Sequence, residues 1–173
     1  FLGWVFRKNM KHFQMYINGS WCDAQSRETF DAINPATAKS FGTIAKGSRA
    51  DAQRAIAAAN EAQREWKRIP LWERSAICLK GADILDQKKE EIADILTTEL
   101  GKPRHGEAAM EASEASVPWR IAAETAKYFE GHTKPTQDAR KRVLTFWKPR
   151  GVIAVLTPWN FPAAIPGEYL PFA

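Results

Sequence analysis

Near the carboxyl end of the chain two prolines, Pro158 and Pro162, bracket Trp159-Asn160-Phe161, and no other stretch constrains the fold as strongly. Each proline fixes φ and removes a backbone donor, so the residues between them are expected on a stiff turn. Gly151-Val152-Ile153-Ala154-Val155 leads directly into that turn. An unbroken β-rich apolar run of this length fits a strand buried on both faces, as in parallel sheets. Ligands of open α/β sheets bind beyond the carboxyl ends of such strands. A carboxamide held there donates hydrogen bonds without titrating. An ordinary strand-to-helix turn would explain a lone Asn; the whole stretch from Leu156 to Pro162 is more specific.

Other chemistries are excluded by composition and spacing. The 173 residues are 45% apolar, enough for one domain with a core. No apolar run has the length of a membrane-spanning helix, and nothing resembles a signal peptide, so no membrane partner and a cytoplasmic location are expected. The net charge of +5 arises from 25 basic and 20 acidic residues spread along the chain. Lys134, Arg140, Lys141, Arg142, Lys148 and Arg150 lie on and around an expected strand whose alternating positions point many of them away from a common surface, so no nucleic-acid partner is expected. Cys22 and Cys78 lack the paired spacing of a disulfide framework or zinc site, and reduced thiols with no metal are expected. Gly101-Lys102 is no phosphate loop, because Leu96 stands where a Gly is needed and Pro103 where Ser or Thr is needed. His105-Gly106-Glu107 has no downstream P-C-x-x-C, so a deaminase is excluded.

Before the proline-bracketed turn the pattern changes from strands to helices. Asn18-Gly19 favours a tight hairpin. Phe30–Ile33 and Phe41–Ala45 fit short strands, with Asn34-Pro35-Ala36-Thr37 as the turn between them. From Ser48 the period becomes 3.6, with Ala52, Ala55, Ile56, Ala59, Ala62 and Trp66 on one face and Ser48 and Asp51 placed as a capping box. Two further helices are expected over Leu71–Asp86 and Lys88–Leu100, the second with Ile92, Ile95 and Leu96 inward and Gly101 as its stop. Ala108, Ala112, Ala115, Trp119, Ala122, Ala126 and Phe129 then form a seam of mostly small residues, kinked at Pro118 and ended by Gly131. Thr133–Arg142 is a polar loop and Arg142–Lys148 a strand.

Thr157–Pro162 resembles the signature of the NAD(P)-dependent aldehyde dehydrogenase superfamily. The resemblance extends through Met15–Trp21, Ile33–Thr37 and Leu100-Gly101-Lys102-Pro103, in the family's order and at about its spacings. It implies an α/β fold: the amino-terminal part of an aldehyde dehydrogenase, an incomplete Rossmann-like cofactor domain plus an oligomerisation strand at about 142–148. Residues 15–173 are assigned to that domain. Residues 1–14 match nothing in the family and are set outside the fold as an extension. The helix opening near Ala163 meets no return strand before Ala173, so the chain is expected to be part of a longer enzyme.

In the resembling family a cysteine thiolate attacks the aldehyde, hydride passes to the cofactor, and a glutamate-activated water releases the acid. By that resemblance Asn160 is one donor to the oxyanion. Leu156, Thr157, Pro158 and Trp159 border NAD or NADP, with NAD the first choice. Phe161 is an aromatic wall of the aldehyde pocket. Cys22 and Cys78 do not match the nucleophile's position, so the chain alone is expected to be inactive. Glu168, two helical turns past Asn160, is expected near the substrate and to favour a neutral or cationic aldehyde; a solvent-facing Glu early in a helix explains it equally. The partners implied are a small aldehyde and, for the whole enzyme, copies of itself in a dimer or tetramer. The runner-up reading is a non-catalytic oligomerisation or interaction protein.

Overall fold

A computed structural model describes residues 11–173. Its amino-terminal part is built from five short strands. β1 (Lys11–Phe13) lies parallel to β5 (Lys39–Ala45), and β4 (Thr29–Asn34) lies antiparallel on the other side of β5, giving the order β1-β5-β4. Residues 1–14 were expected outside the fold. Within that stretch Lys11–Phe13 pair with Gly42–Ile44, and residues 1–10 lie outside the described residues. Gly42 permits the close approach, since a Cβ there would stand 2.7 Å from both the Lys11 carbonyl oxygen and the Phe13 ring. β2 (Met15–Ile17) and β3 (Ser20–Cys22) form the hairpin expected from Asn18-Gly19. Both turn residues have positive φ, 52° and 76°, as a two-residue turn matched to strand twist requires.

The helices begin with α1 (Arg49–Trp66), whose capping box is present as expected. Its apolar face is not covered, however: Ile56 is 54% exposed, and none of the six residues expected on that face is fully buried. The period of the face is correct, but among the described residues little packs against it. α2 (Leu71–Gln87) and α3 (Lys89–Leu100) follow. α3 ends at Gly101 in the left-handed region, φ 74°, where a residue without Cβ is unstrained. Leu96 is buried and Ile92 packs on the core as expected, whereas Ile95 is 49% exposed and Ala93 is buried.

The seam of small residues is divided into a π-helical turn (Arg104–Ala108), α4 (Ala109–Glu114), α5 (Val117–Thr125) and a 3-10 turn (Ala126–Tyr128). The break precedes Pro118, which lies in the first turn of α5 where its missing N–H costs little. Ala108, Ala112, Ala115 and Ala122 are buried as the seam predicts, whereas Phe129 at its end is exposed. Ala93, Leu96, Ala108 and Ala112 form the core cluster, with Ile92, Leu100 and Ala163 packed on it. The chain then reaches β6 (Thr133–Lys134), β7 (Val143–Leu144), α6 (Ala164–Tyr169) and a final 3-10 turn (Leu170–Phe172).

Two expected strands are corrected. Gly151–Val155 forms no ladder, and Val152 and Ile153 are exposed rather than buried on both faces. A parallel strand becomes buried only when neighbours flank it, and no described strand lies beside this one. Of the Arg142–Lys148 strand only Val143 and Leu144 pair, with Lys134 and Thr133, because their partner strand is two residues long. The α/β class stands: a small mixed sheet with flanking helices, an incomplete Rossmann-like cofactor domain.

Candidate functional site

The proline-bracketed turn is held mainly from outside itself. Pro158 and Pro162 contribute no N–H, and within the segment the Ile165 amide donates to the Phe161 carbonyl at 3.0 Å. The strongest anchor is Glu111 on α4, which has no solvent exposure. Its Oε1 accepts from the backbone amides of Ala163 (2.8 Å) and Ala164 (3.3 Å), the residues that open α6. Its Oε2 accepts from Lys102 Nζ at 2.6 Å. That same Nζ stands 3.7 Å from the centroid of the Phe161 ring. Lys102 directly follows the left-handed Gly101, so the turn that ends α3 aims its side chain into this corner.

Around this corner lies an open groove of about 360 Å³, lined by Leu100, Lys102, Glu107, Met110, Trp159, Asn160 and Phe161. Asn160 is exposed on its rim, and among the described residues its carboxamide has no hydrogen-bond partner. A donor left open beside a pinned backbone can serve a ligand oxygen without first breaking an internal bond. Trp159 is 81% exposed and Leu156 is 89% exposed.

The structure therefore brings Asn160, Trp159 and Phe161 into one groove. Leu156 and Glu168 border a second groove of about 390 Å³, with Ile153, Ala154, Val155, Tyr169, Phe172 and Ala173. Thr157 and Pro158 are the exposed link between the two. The Cys78 thiol lies 4.0 Å from the Pro171 carbonyl oxygen, and burial pushes its pKa up, opposite to the shift that activates a nucleophile. Cys22 ends the β3 strand and lines neither groove. Among the described residues no cluster of His, Cys, Asp and Glu could hold a metal, and no helix is long and apolar enough to cross a membrane.

Sequence reasoning missed Glu111. The signal was present: Glu111 lies three residues after Ala108 and four before Ala115, which puts an acid on the buried seam itself. A carboxylate on an alanine face needs an internal partner.

Residues 21–173 match the model of the aldehyde dehydrogenase family. The chain is 40% identical over 155 residues to glutarate-semialdehyde dehydrogenase of Pseudomonas putida, covering 88% of this chain and 32% of that protein. It is 36% identical over 157 residues to the NADP(+) succinate-semialdehyde dehydrogenase of Escherichia coli, covering 91% and 32%. The crystal structure of succinate-semialdehyde dehydrogenase from Burkholderia pseudomallei superposes with a TM-score of 0.86 at 42% identity, over 90% of this chain and 32% of that one. The chain thus spans about a third of the length of these relatives.

Proposed function

Because this chain belongs to the aldehyde dehydrogenase family, we propose that the protein oxidises an aldehyde to a carboxylic acid with NAD or NADP, and that this chain supplies the oxyanion donor and one side of the cofactor site. The observation that carries the reading is Asn160: an unpartnered carboxamide on a groove rim, beside a backbone pinned by Glu111. Attack on the carbonyl carbon puts negative charge on the aldehyde oxygen, and an N–H donor fixed in advance stabilises that charge without reorganising. Phe161 walls the aldehyde side of the groove. Leu156, Thr157, Pro158 and Trp159 flank the cofactor, whose nicotinamide supplies the hydride acceptor when bound. Neither cysteine lies on either groove, so the attacking thiolate is assigned to a residue other than those of this chain.

The relatives' names support an aldehyde that carries an acid group of its own. Glu168 borders the groove of Leu156 and not that of Asn160. Phe146 and Trp147 are 76% and 73% exposed next to the short β6–β7 ladder, and they support assembly of the whole protein into a dimer or tetramer through this edge.

The test joins this chain to the complementary two thirds of the Pseudomonas putida relative and follows NADH and NADPH formation with glutarate semialdehyde, succinate semialdehyde and an uncharged aldehyde of similar length. Aldehyde-dependent reduction by the joined protein, none by the chain alone, and preference for the acidic aldehydes are expected. Turnover by the chain alone, or none by a folded joined protein, overturns the reading.

A further inference from the structure

We propose that Glu111 and Lys102 form a buried positioning pair whose task is to hold the Asn160 turn in register, rather than to stabilise the fold. The catalytic consequence rests on the oxyanion reading of Asn160; the mechanical claim does not.

A fully buried carboxylate is costly in an otherwise alanine-lined core, and an apolar residue would fill the same space at no such cost. What the carboxylate does here is reach across the chain. Both of its oxygens are used, and every donor leads to the signature segment: two are the first amides of α6, and the third is an ammonium that also sits on the Phe161 ring. α6 has no side-chain cap of its own, and Ala163 at its cap position cannot provide one. The prolines at 158 and 162 leave the turn with few amides through which anything could grip it. Glu111 grips the two that follow Pro162, and Lys102 grips the ring that precedes it. Asn160 is adjacent to that ring, so its backbone is held from both the ring and the helix start. The pair touches neither the aldehyde nor the cofactor; it acts through Asn160 and Phe161.

The double variant Lys102→Met/Glu111→Leu separates positioning from stability, because apolar replacement of a buried ion pair commonly preserves the fold. On this chain, hydrogen exchange at the Ala163 and Ala164 amides is measured beside amides in α1, together with the urea midpoint. The expected result is an unchanged midpoint, unchanged α1 protection, and exchange at Ala163 and Ala164 faster by about tenfold or more. Glu111→Gln retains an acceptor of the same shape and should fall between wild type and the double variant, which keeps the proposal testable if the double variant does not fold. Unchanged exchange at both amides in a folded variant overturns the proposal, as does faster exchange shared equally with α1. In the joined enzyme the same substitutions should lower kcat by about 10- to 100-fold with little change in KM. A rise in KM alone contradicts the positioning role. Exchange is read without substrate, so lost protection in a protein that never oxidises aldehydes would remove the functional reading and leave the pair standing.

Discussion

Leu96→Ala is the most informative single change to the core, because Leu96 is the only large apolar side chain buried among Ala93, Ala108 and Ala112. It is 2% exposed, so the three carbon atoms removed lose nearly their full transfer energy, about 2.4 kcal/mol at 0.8 per methylene. The neighbouring alanines have no longer side chains to swing into the space. Ile92 and Leu100 pack on the cluster and can fill the space only in part without moving the backbones of α3 and α4, so a cavity term is added. The total expected is about 3–4 kcal/mol, in the middle of the range for such substitutions. Equilibrium urea unfolding followed by tryptophan fluorescence measures it, with Leu144→Ala as control because Leu144 is 57% exposed. A loss below about 1 kcal/mol with an unchanged denaturant slope would show that this cluster does not carry the helical layer. Ala163 packs on the same cluster, so the variant should also loosen the start of α6.

Acid should act through Asp51, whose carboxylate accepts from the Ser48 amide and hydroxyl, the Gln25 amide and the Arg54 guanidinium. Those bonds, the Ser48 amide first, hold its pKa well below the ordinary carboxylate range. A depressed folded-state pKa stabilises fully above the unfolded value near ~4 and less as pH falls toward the folded value. The urea midpoint of the wild type should therefore drop from about pH 4 downward more steeply than that of Asp51→Asn, and parallel curves would refute this. Ser48→Ala removes the other half of the capping box and should cost about 1 kcal/mol at neutral pH by the same measurement. Trp119 is wedged between α2 and α6, 3.0 Å from a Cβ built on Gly81 and 3.3 Å at its Nε1 from one built on Gly167. Gly81→Val should therefore displace the indole and lower the unfolding free energy by about 1–3 kcal/mol, whereas an unchanged urea midpoint would show that the wedge can yield.

Features set by neighbours in sequence were legible before the structure. Asn18-Gly19 gave its hairpin, Ser48 with Asp51 gave its capping box, and Gly101 gave its left-handed stop, since each depends on a few consecutive residues. Features set by distant partners were not. The apolar run Gly151–Val155 has strand character, yet it remains unpaired because pairing requires a neighbour that no described residue provides. The apolar face of α1 has the period read from the sequence, and it lies uncovered for the same reason. In the site, the motif around Asn160 was visible as a motif, whereas its anchor was not: Glu111 meets Ala163 across 52 positions, a separation on which periodicity is silent. Glu168 is two helical turns from Asn160 in sequence, yet it borders the groove of Leu156 rather than that of Asn160, a difference that helical spacing does not specify.

The central claim is that Asn160 stabilises charge on the aldehyde oxygen. Its direct measurement is the turnover of Asn160→Ala against wild type in the joined enzyme, with cofactor affinity determined in parallel. A fall in kcat of about 10²- to 10³-fold at nearly unchanged cofactor affinity is expected. Near-normal turnover of the purified variant would contradict it.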